Sequence, residues 1–259
     1  MIVFLLLCTY FIARAIRREA DLLRLQSDFV SAVSHEFRSP LTTMRQLSEI
    51  LSLGRVPSEE RRALYYATLV RETTRLQRVV ESLLHFGSME AGARKYHFEE
   101  CTPATLVREV AAEMQSQLPA TAPRILCDDF SGQVRVAIDP DAFSVALRNL
   151  IDNAIKYSPG QRAVWVDLHR TGDQLAIAVR DHGLGITDLE KKSIFQKFVR
   201  GTAASSGNVK GSGVGLAMVR HIVDAHGGTI TVDSRPGVGS TFTIHLPALE
   251  PAPERIINQ

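Results

Sequence analysis

LRNLIDNAIKYSP, residues 147–159, reads as the second half of a helix that starts after Pro140, with Asp141 in its first turn. Short runs rich in Val, Ile, Thr and Phe flank it at 134–138 and 163–169, and similar runs recur at 174–180, 229–233 and 240–246. These predict strands. Residues 103–118 and 213–226 supply two more helical stretches, so strands and helices alternate in the manner of an α/β domain. The last two strands are separated only by residues 235–239, short enough for a hairpin.

Upstream the texture is different. Between residues 15 and 46 there is no glycine and one proline, Pro40, which predicts one long helix interrupted near its end. Leu22, Leu25, Phe29 and Ala32 step by three or four, with Val33 beside them, and form a core-facing stripe. On the helical wheel His35 falls on the side away from that stripe, within reach of a reactant. A turn at 54–57 follows, then Ser58 as N-cap with Glu59 and Glu60 in the first turn of a second helix. Tyr66, Leu69, Thr73, Leu76, Val80 and Leu83 alternate steps of three and four, the seam of a helical bundle. Gly87 and Gly92 are expected to close that helix. Two helices with one seam each bury little on their own, so the expectation is a homodimer whose two hairpins form a four-helix bundle. The domain boundary falls near 92–98.

The chain of 259 residues is 45% hydrophobic, which supports two compact domains and excludes global disorder. Its net charge of +2 gives no electrostatic footprint for nucleic acid, so none is expected as a partner. Cys8, Cys101 and Cys127 lack the number and spacing for a disulfide framework or a zinc site. Residues 1–13, MIVFLLLCTYFIA, are almost wholly apolar and precede Arg14, Arg17 and Arg18. Spanning a bilayer takes about 20 apolar residues. This segment reads as part of a membrane helix, with the basic flank placing residues 14–259 on the cytoplasmic side of the inner membrane. The resulting division is a partial transmembrane segment at 1–13, a helical linker at 14–23, a helical domain at 24–92, an α/β domain at 98–246 and a flexible tail at 247–259.

Several short motifs carry chemistry. Asn149 and Asn153 are four apart and share a helix face, and an amide oxygen is a hard ligand suited to a metal held between protein and phosphates. DHGLGI, residues 181–186, directly follows a strand. Its Asp181 can accept a hydrogen bond from an exocyclic amine, while Gly183 and Gly185 remove side chains from the approach of a flat base. IFQKFVRG, residues 194–201, carries Phe195 and Phe198, whose spacing suits core packing as well as anchoring of the segment after it. That segment, 202–211, is rich in Ala, Ser and Gly and reads as a lid. GSGVGL, residues 211–216, opens a helix whose amides can meet phosphate, whereas GVGST at 237–241 reads as a structural turn. Within SHEFRSPLT, residues 34–42, Pro40 deprives the Glu36 carbonyl of its helical partner one turn after His35, and Glu36 can take the imidazole proton. The glycine pattern is neither a P-loop nor a dinucleotide fingerprint, and His221 and His226 lack the spacing of a zinc hydrolase.

The nonapeptide at 34–42 closely resembles the phosphoacceptor box of two-component sensor histidine kinases, and the later motifs resemble that family's asparagine, glycine and phenylalanine boxes in order. The matches run over roughly residues 24–246. The resemblance implies a dimeric helical-hairpin domain followed by an α/β sandwich with a mixed sheet, of the ATP-binding type shared with gyrase and the heat-shock chaperone ATPases. It implies His35 as phosphoacceptor and Glu36 as base, and ATP with Mg²⁺ as cofactors. Asn153 would hold the metal, Asn149 and Lys156 would assist with phosphates, and Tyr157 would line the pocket. Asp181, Gly183, Gly185, Arg200, Gly211, Gly213, Gly215 and Leu216 complete the nucleotide set. The implied partner is a response regulator receiver domain, whose Asp takes the phosphoryl group. Ser39 stands where phosphatase-active members usually carry Thr or Asn, and Asn149 where the related ATPases place a catalytic Glu. An ATP-binding scaffold without transfer, and a phosphatase or simple ATPase, are the competing functions.

Overall fold

The computed structural model describes residues 1–92, 94–119, 121–128, 134–158, 160, 163–199, 201 and 213–249, without the side chains of seven residues between Val3 and Leu22. The chain forms two compact units that part between Glu81 and Ser82, with Gly213 grouped with the first.

The first unit contains α1 (Ile2–Ser52) and most of α2 (Glu59–Glu90). Helix α1 is longer than the sequence pattern indicated, beginning at Ile2 and continuing through Pro40. Leu25, Phe29, Ala32 and Val33 are half-buried, as the stripe requires, and His35 is exposed. The turn forms with Gly54 at φ +63°, and the Ser58 hydroxyl accepts from the Arg61 amide at 3.3 Å, capping α2 as expected. The helices meet where the Thr73 hydroxyl lies 3.3 Å from the Met44 sulfur. Gly87 does not end α2, because with no Cβ requirement it is tolerated inside a helix whose neighbours pack; the chain turns instead at Gly92, φ +61°. No helix among the described residues is long and apolar enough to cross a membrane.

The second unit is an α/β sandwich. Its elements are β1 (Glu99–Cys101), α3 (Pro103–Gln117), β2 (Arg124–Cys127), β3 (Val136–Ile138), α4 (Pro140–Lys156), β4 (Ala163–Thr171), β5 (Gln174–Arg180), α5 (Asp188–Lys191), α6 (Gly215–Ala225), β6 (Thr229–Arg235) and β7 (Gly239–Pro247). Five strands form a sheet in the order β2-β4-β5-β7-β6, and β1 pairs with β3 separately. The β2–β4 pair is parallel and the others antiparallel, so the sheet is mixed. Central β5 is buried from Leu175 to Val179, which explains its continuous apolar run. Strand β7 instead alternates, with Phe242, Ile244 and Leu246 buried and Thr241, Thr243 and His245 half-exposed.

Helices α3, α4 and α6 pack on the sheet. Helix α4 fully buries Phe143, Leu147, Leu150 and Ile151. Each such side chain is worth about 1.5–3 kcal/mol. That buried stripe fixes the rotation of α4 and thereby the face on which Asn149 and Asn153 sit. Strands β1 and β2 and the one-turn α5 were not apparent in the sequence: each has only three or four residues, and the strands find their partners far along the chain. At the other end, Pro247 completes β7, and the amides of Ala248 and Leu249 donate to Asp173 and Arg135 carbonyls at 2.8 Å. The expected tail is thus tied through residue 249; residues 250–259 lie outside the described residues.

Candidate functional site

In the first unit His35 is exposed and Glu36 half-buried, while Pro40, one turn later, is buried. The next turns are reinforced by side chains that bond back along the helix: the Thr42 hydroxyl donates to the Arg38 carbonyl at 2.8 Å and the Thr43 hydroxyl to the Ser39 carbonyl at 3.2 Å. Ser39 is half-buried. An imidazole is therefore presented on the outside of the helix, with a carboxylate next to it.

In the second unit the predicted residues converge on the C-terminal half of α4 and the loops at one end of the sheet. The Asn149 amide nitrogen donates to the Val145 carbonyl at 2.8 Å, which orients the amide. Its oxygen then faces the start of α6, and a Cβ on Gly215 would lie 2.7 Å from it. No larger residue than glycine fits at that position unless Asn149 moves. Asn153 is half-buried one turn further along, and Lys156 pairs with Asp152 at 2.5 Å. Leu216 is half-buried in the first turn of α6, and Gly213 precedes it at φ +74°.

Asp181 is the most enclosed of these groups, with 6% exposure. The Gly183 amide donates to its Oδ1 at 2.8 Å, and the Ser158 hydroxyl and Ser240 amide donate to the same oxygen at 3.3 Å. Burial pushes the carboxyl above its usual range, and these three donors and the nearby His182 oppose the shift without cancelling it. All three of these donors meet Oδ1.

The glycines of this loop have a reason that the sequence did not reveal. A Cβ on Gly183 would lie 2.0 Å from the Tyr157 carbonyl oxygen, the same oxygen that accepts the Leu184 amide at 3.0 Å. Gly185 has φ +68°, and a Cβ there would lie 2.0 Å from the Arg235 carbonyl. The loop is thus pressed between the end of α4 and the β6–β7 hairpin. These contacts with the protein itself require glycine before any base arrives.

Sequence reasoning passed over Ser158 and Ser234 and read Ser240 only as part of a structural turn. The Ser234 hydroxyl donates to the Gly239 carbonyl at 2.8 Å and accepts from the Ile186 amide at 2.8 Å, with the Ser240 hydroxyl 2.9 Å away. Only the placement of Ser158 inside the quoted 147–159 motif could have drawn attention to it. The phenylalanines divide: Phe195 packs edge-on against Phe242 in the core, and Phe198 against Phe86 of α2. The hairpin turn between antiparallel β6 and β7 is residues 236–238; of the 237–241 stretch read as a turn, Gly237 and Val238 lie in it, whereas Gly239, Ser240 and Thr241 already pair with β6 as the start of β7. Arg200, Gly211 and the expected lid at 202–211 lie outside the described residues.

No cluster of three or more His, Cys, Asp or Glu that could hold a metal occurs among the described residues. A half-buried amide at Asn153, with no surrounding carboxylate cage, fits a Mg²⁺ ion held mainly by phosphates and only in part by protein.

Residues 25–92 match the family described as His Kinase A (phospho-acceptor) domain, and residues 138–250 the family described as histidine kinase-, DNA gyrase B- and HSP90-like ATPase. The chain belongs to the sensor histidine kinases. Sensor-like histidine kinase SenX3 of Mycobacterium tuberculosis is 36% identical over 234 residues, which are 89% of this chain and 57% of that relative. The chain thus spans little more than half the length of such a histidine kinase. Among solved structures, histidine kinase AdeS of Acinetobacter baumannii superimposes with a TM-score of 0.57 at 22% identity, over 82% of this chain and 97% of its own. Full-length ShkA, solved in complex with AMPPNP, gives 0.61 at 24% identity, over 86% of this chain and 46% of its own. At these identities the likeness concerns the fold: a helical hairpin region followed by a mixed-sheet ATPase domain.

Proposed function

We propose that this chain is the catalytic core of a sensor histidine kinase that phosphorylates His35 from ATP and passes the group to an Asp of a response regulator. The observation that carries the proposal is an exposed His35 beside Glu36, one turn before a buried Pro40, in the same chain as an ATPase-type domain with a buried carboxylate at Asp181. In the nucleotide site Asp181 would accept the adenine amine, and Asn149 and Lys156, released from Val145 and Asp152, would assist with the phosphates. When bound, Mg²⁺ at Asn153 supplies charge neutralisation between the phosphates.

The neutral ring of His35 attacks the γ-phosphorus in line. A phosphorus–nitrogen bond forms, the bond to the bridging oxygen breaks, ADP leaves, and the ring proton passes to Glu36 or water. Asn149, standing where related ATPases have a Glu, offers no base to activate water, which favours transfer over hydrolysis. Apolar residues exposed along the first unit, among them Leu64, Tyr66 and Val70, support pairing with a second copy. Exposed Ile2, Phe4 and Phe11 ahead of Arg14 and Arg17 support attachment of the N-terminus to the inner membrane, with the rest of the chain cytoplasmic. Ser39 is the candidate for orienting water in dephosphorylation of the partner.

Incubation with γ-labelled ATP and Mg²⁺ tests the core claim. Acid-labile, base-stable label is expected on the chain and absent from His35→Gln; equal label on the variant would overturn the assignment of His35.

A further inference from the structure

The loop at 181–186 is fastened to the β6–β7 hairpin along its length. The Asp181 amide donates to the Ser240 carbonyl at 2.8 Å, the Ser240 amide returns to Asp181 Oδ1 at 3.3 Å, and the Gly237 amide donates to the Leu184 carbonyl at 2.8 Å. At the far end the Ile186 amide donates to the Ser234 hydroxyl at 2.8 Å. Here the hairpin holds the loop by a side chain instead of its backbone.

Ser234 is 4% exposed, and its hydroxyl is fully used. A hydroxyl has one proton and two lone pairs. The proton goes to the Gly239 carbonyl at 2.8 Å, one lone pair takes the Ile186 amide, and the other takes the Ser240 hydroxyl at 2.9 Å, which is then the donor of that pair. The bond to Gly239 has the larger consequence. Its carbonyl belongs to the same planar peptide as the Ser240 amide, so holding one sets the direction of the other. The strand pairing decides that Ser234 lies opposite Ser240; the hydroxyl decides the tilt of the Gly239–Ser240 peptide. Gly239 stands at φ +128°, and a glycine is the residue least restricted to one conformation, so that tilt needs an outside hold. The Ser240 amide is one of the three donors on Asp181 Oδ1, and the Gly183 amide, another of them, lies three residues before Ile186 in the same loop.

We propose that Ser234 is a positioning residue for adenine: by orienting the Gly239–Ser240 peptide and fastening Ile186, it keeps the Asp181 carboxylate aimed at the exocyclic amine. The proposal rests on the ATP-binding reading above. Without the hydroxyl, the Gly239 carbonyl, the Ile186 amide and the Ser240 hydroxyl each lose a partner in a buried setting, and the donors on Oδ1 shift as these groups seek others. The loss falls on the contact with the amine and spares the phosphate end of the site, assigned above to α4.

The test is titration of the full chain, with Mg²⁺, by ADP and by purine riboside diphosphate, which has hydrogen in place of the amine; neither is consumed by transfer. The parent is expected to prefer ADP. Ser234→Ala is expected to weaken ADP about three- to tenfold, the range of one net hydrogen bond, and to leave the amine-free nucleotide near its parent affinity. Exchange of the Ile186 and Ser240 amides should quicken. Ser234→Cys fills the same space with a weak donor and acceptor. It should lower the preference for ADP by less, and it carries the test should Ser234→Ala not fold. Folded variants that keep the parent preference would overturn the proposal, and so would variants that lose both nucleotides equally, since a loosened domain and not the aim of Asp181 would then be the cause. A parent that binds neither nucleotide sinks the ATP reading and the role of Ser234 together, and one that binds both alike sinks the pairing of Asp181 with the amine. A parent that prefers ADP beside unaffected Ser234 variants sinks the role of Ser234 alone.

Discussion

Asp181, proposed above to bind the nucleotide, is costly to the protein without it. Its carboxyl is pushed upward by burial, so the folded state resists its ionisation. Below the ordinary carboxylate pKa the group is neutral in folded and unfolded chains and has no effect. As pH rises through the interval up to the raised folded value, the unfolded chain ionises first, and the domain loses stability that it does not regain at neutral pH. Asp181→Asn keeps the shape and an oxygen for the Gly183 amide while removing the charge. The expected result is a melting temperature at neutral pH equal to or above the parent's, together with at least about tenfold weaker ATP binding from the lost charge-assisted bond. Calorimetric scans and titrations would reveal the two opposite signs; a variant that binds ATP as the parent does would remove Asp181 from the adenine site.

At the scale of elements, α4 owes its position to its N-cap. Asp139 accepts from the Ala142 amide and, with its other oxygen, from the His97 amide, both at 2.9 Å. Its own amide donates to Nε2 of His226, whose Nδ1 donates to the Ile222 carbonyl at 2.6 Å, so the ring is neutral and the ends of α4 and α6 are joined by a buried histidine. Burial pushes the Asp139 carboxyl up, but the amides of Ala142 and His97, together with Arg94, outweigh it and hold the group below its usual range. That contribution to stability is complete above the ordinary carboxylate pKa and disappears as pH falls through the lowered value. Asp139→Ala removes the cap and strands the His97 amide, and is expected to destabilise the domain by about 1–3 kcal/mol, measured by urea unfolding at neutral pH. The difference from the parent should shrink in acid; a pH-independent difference would mean that packing, not the cap charge, holds α4.

For the whole molecule the question is what covers the helical unit. Along the predicted seam of α2, Leu69, Leu76 and Leu83 are half-buried in the single chain, whereas Tyr66, Thr73 and Val80 remain exposed. Leu41 of α1 and Leu64 and Val70 of α2 are also at least half exposed. A hairpin that leaves so much apolar surface open calls for a second copy. Light scattering should give twice the 28.6 kDa chain mass at micromolar concentration, and Tyr66→Glu with Val70→Glu should shift it toward a single chain. A parent chain that scatters as one copy would refute the four-helix bundle.

The sequence by itself determined the elements whose patterns are local. Apolar steps of three and four set α1 and α2, Pro140 and Asp141 marked the start of α4, short runs rich in Val, Ile, Thr and Phe set β4 to β7, and the order of short motifs from His35 to Gly215 identified the family. A periodic pattern records which face of an element is covered, and that much can be read without knowing what covers it. It could not show β1 or β2, whose three- and four-residue pairings depend on partners far along the chain. Nor could it show why Gly183 must be glycine, because the Tyr157 carbonyl that excludes a side chain is brought there only by the packing of α4 on the sheet. Ser158, Ser234 and Ser240 became significant in the same way, through a hydrogen-bond network that joins three separate segments. The end of α2 is the clearest case. Phe86 reads as one more apolar residue of a dimerisation helix, and only the tertiary structure, by setting its ring against Phe198, gave the end of that helix to the ATP-binding unit.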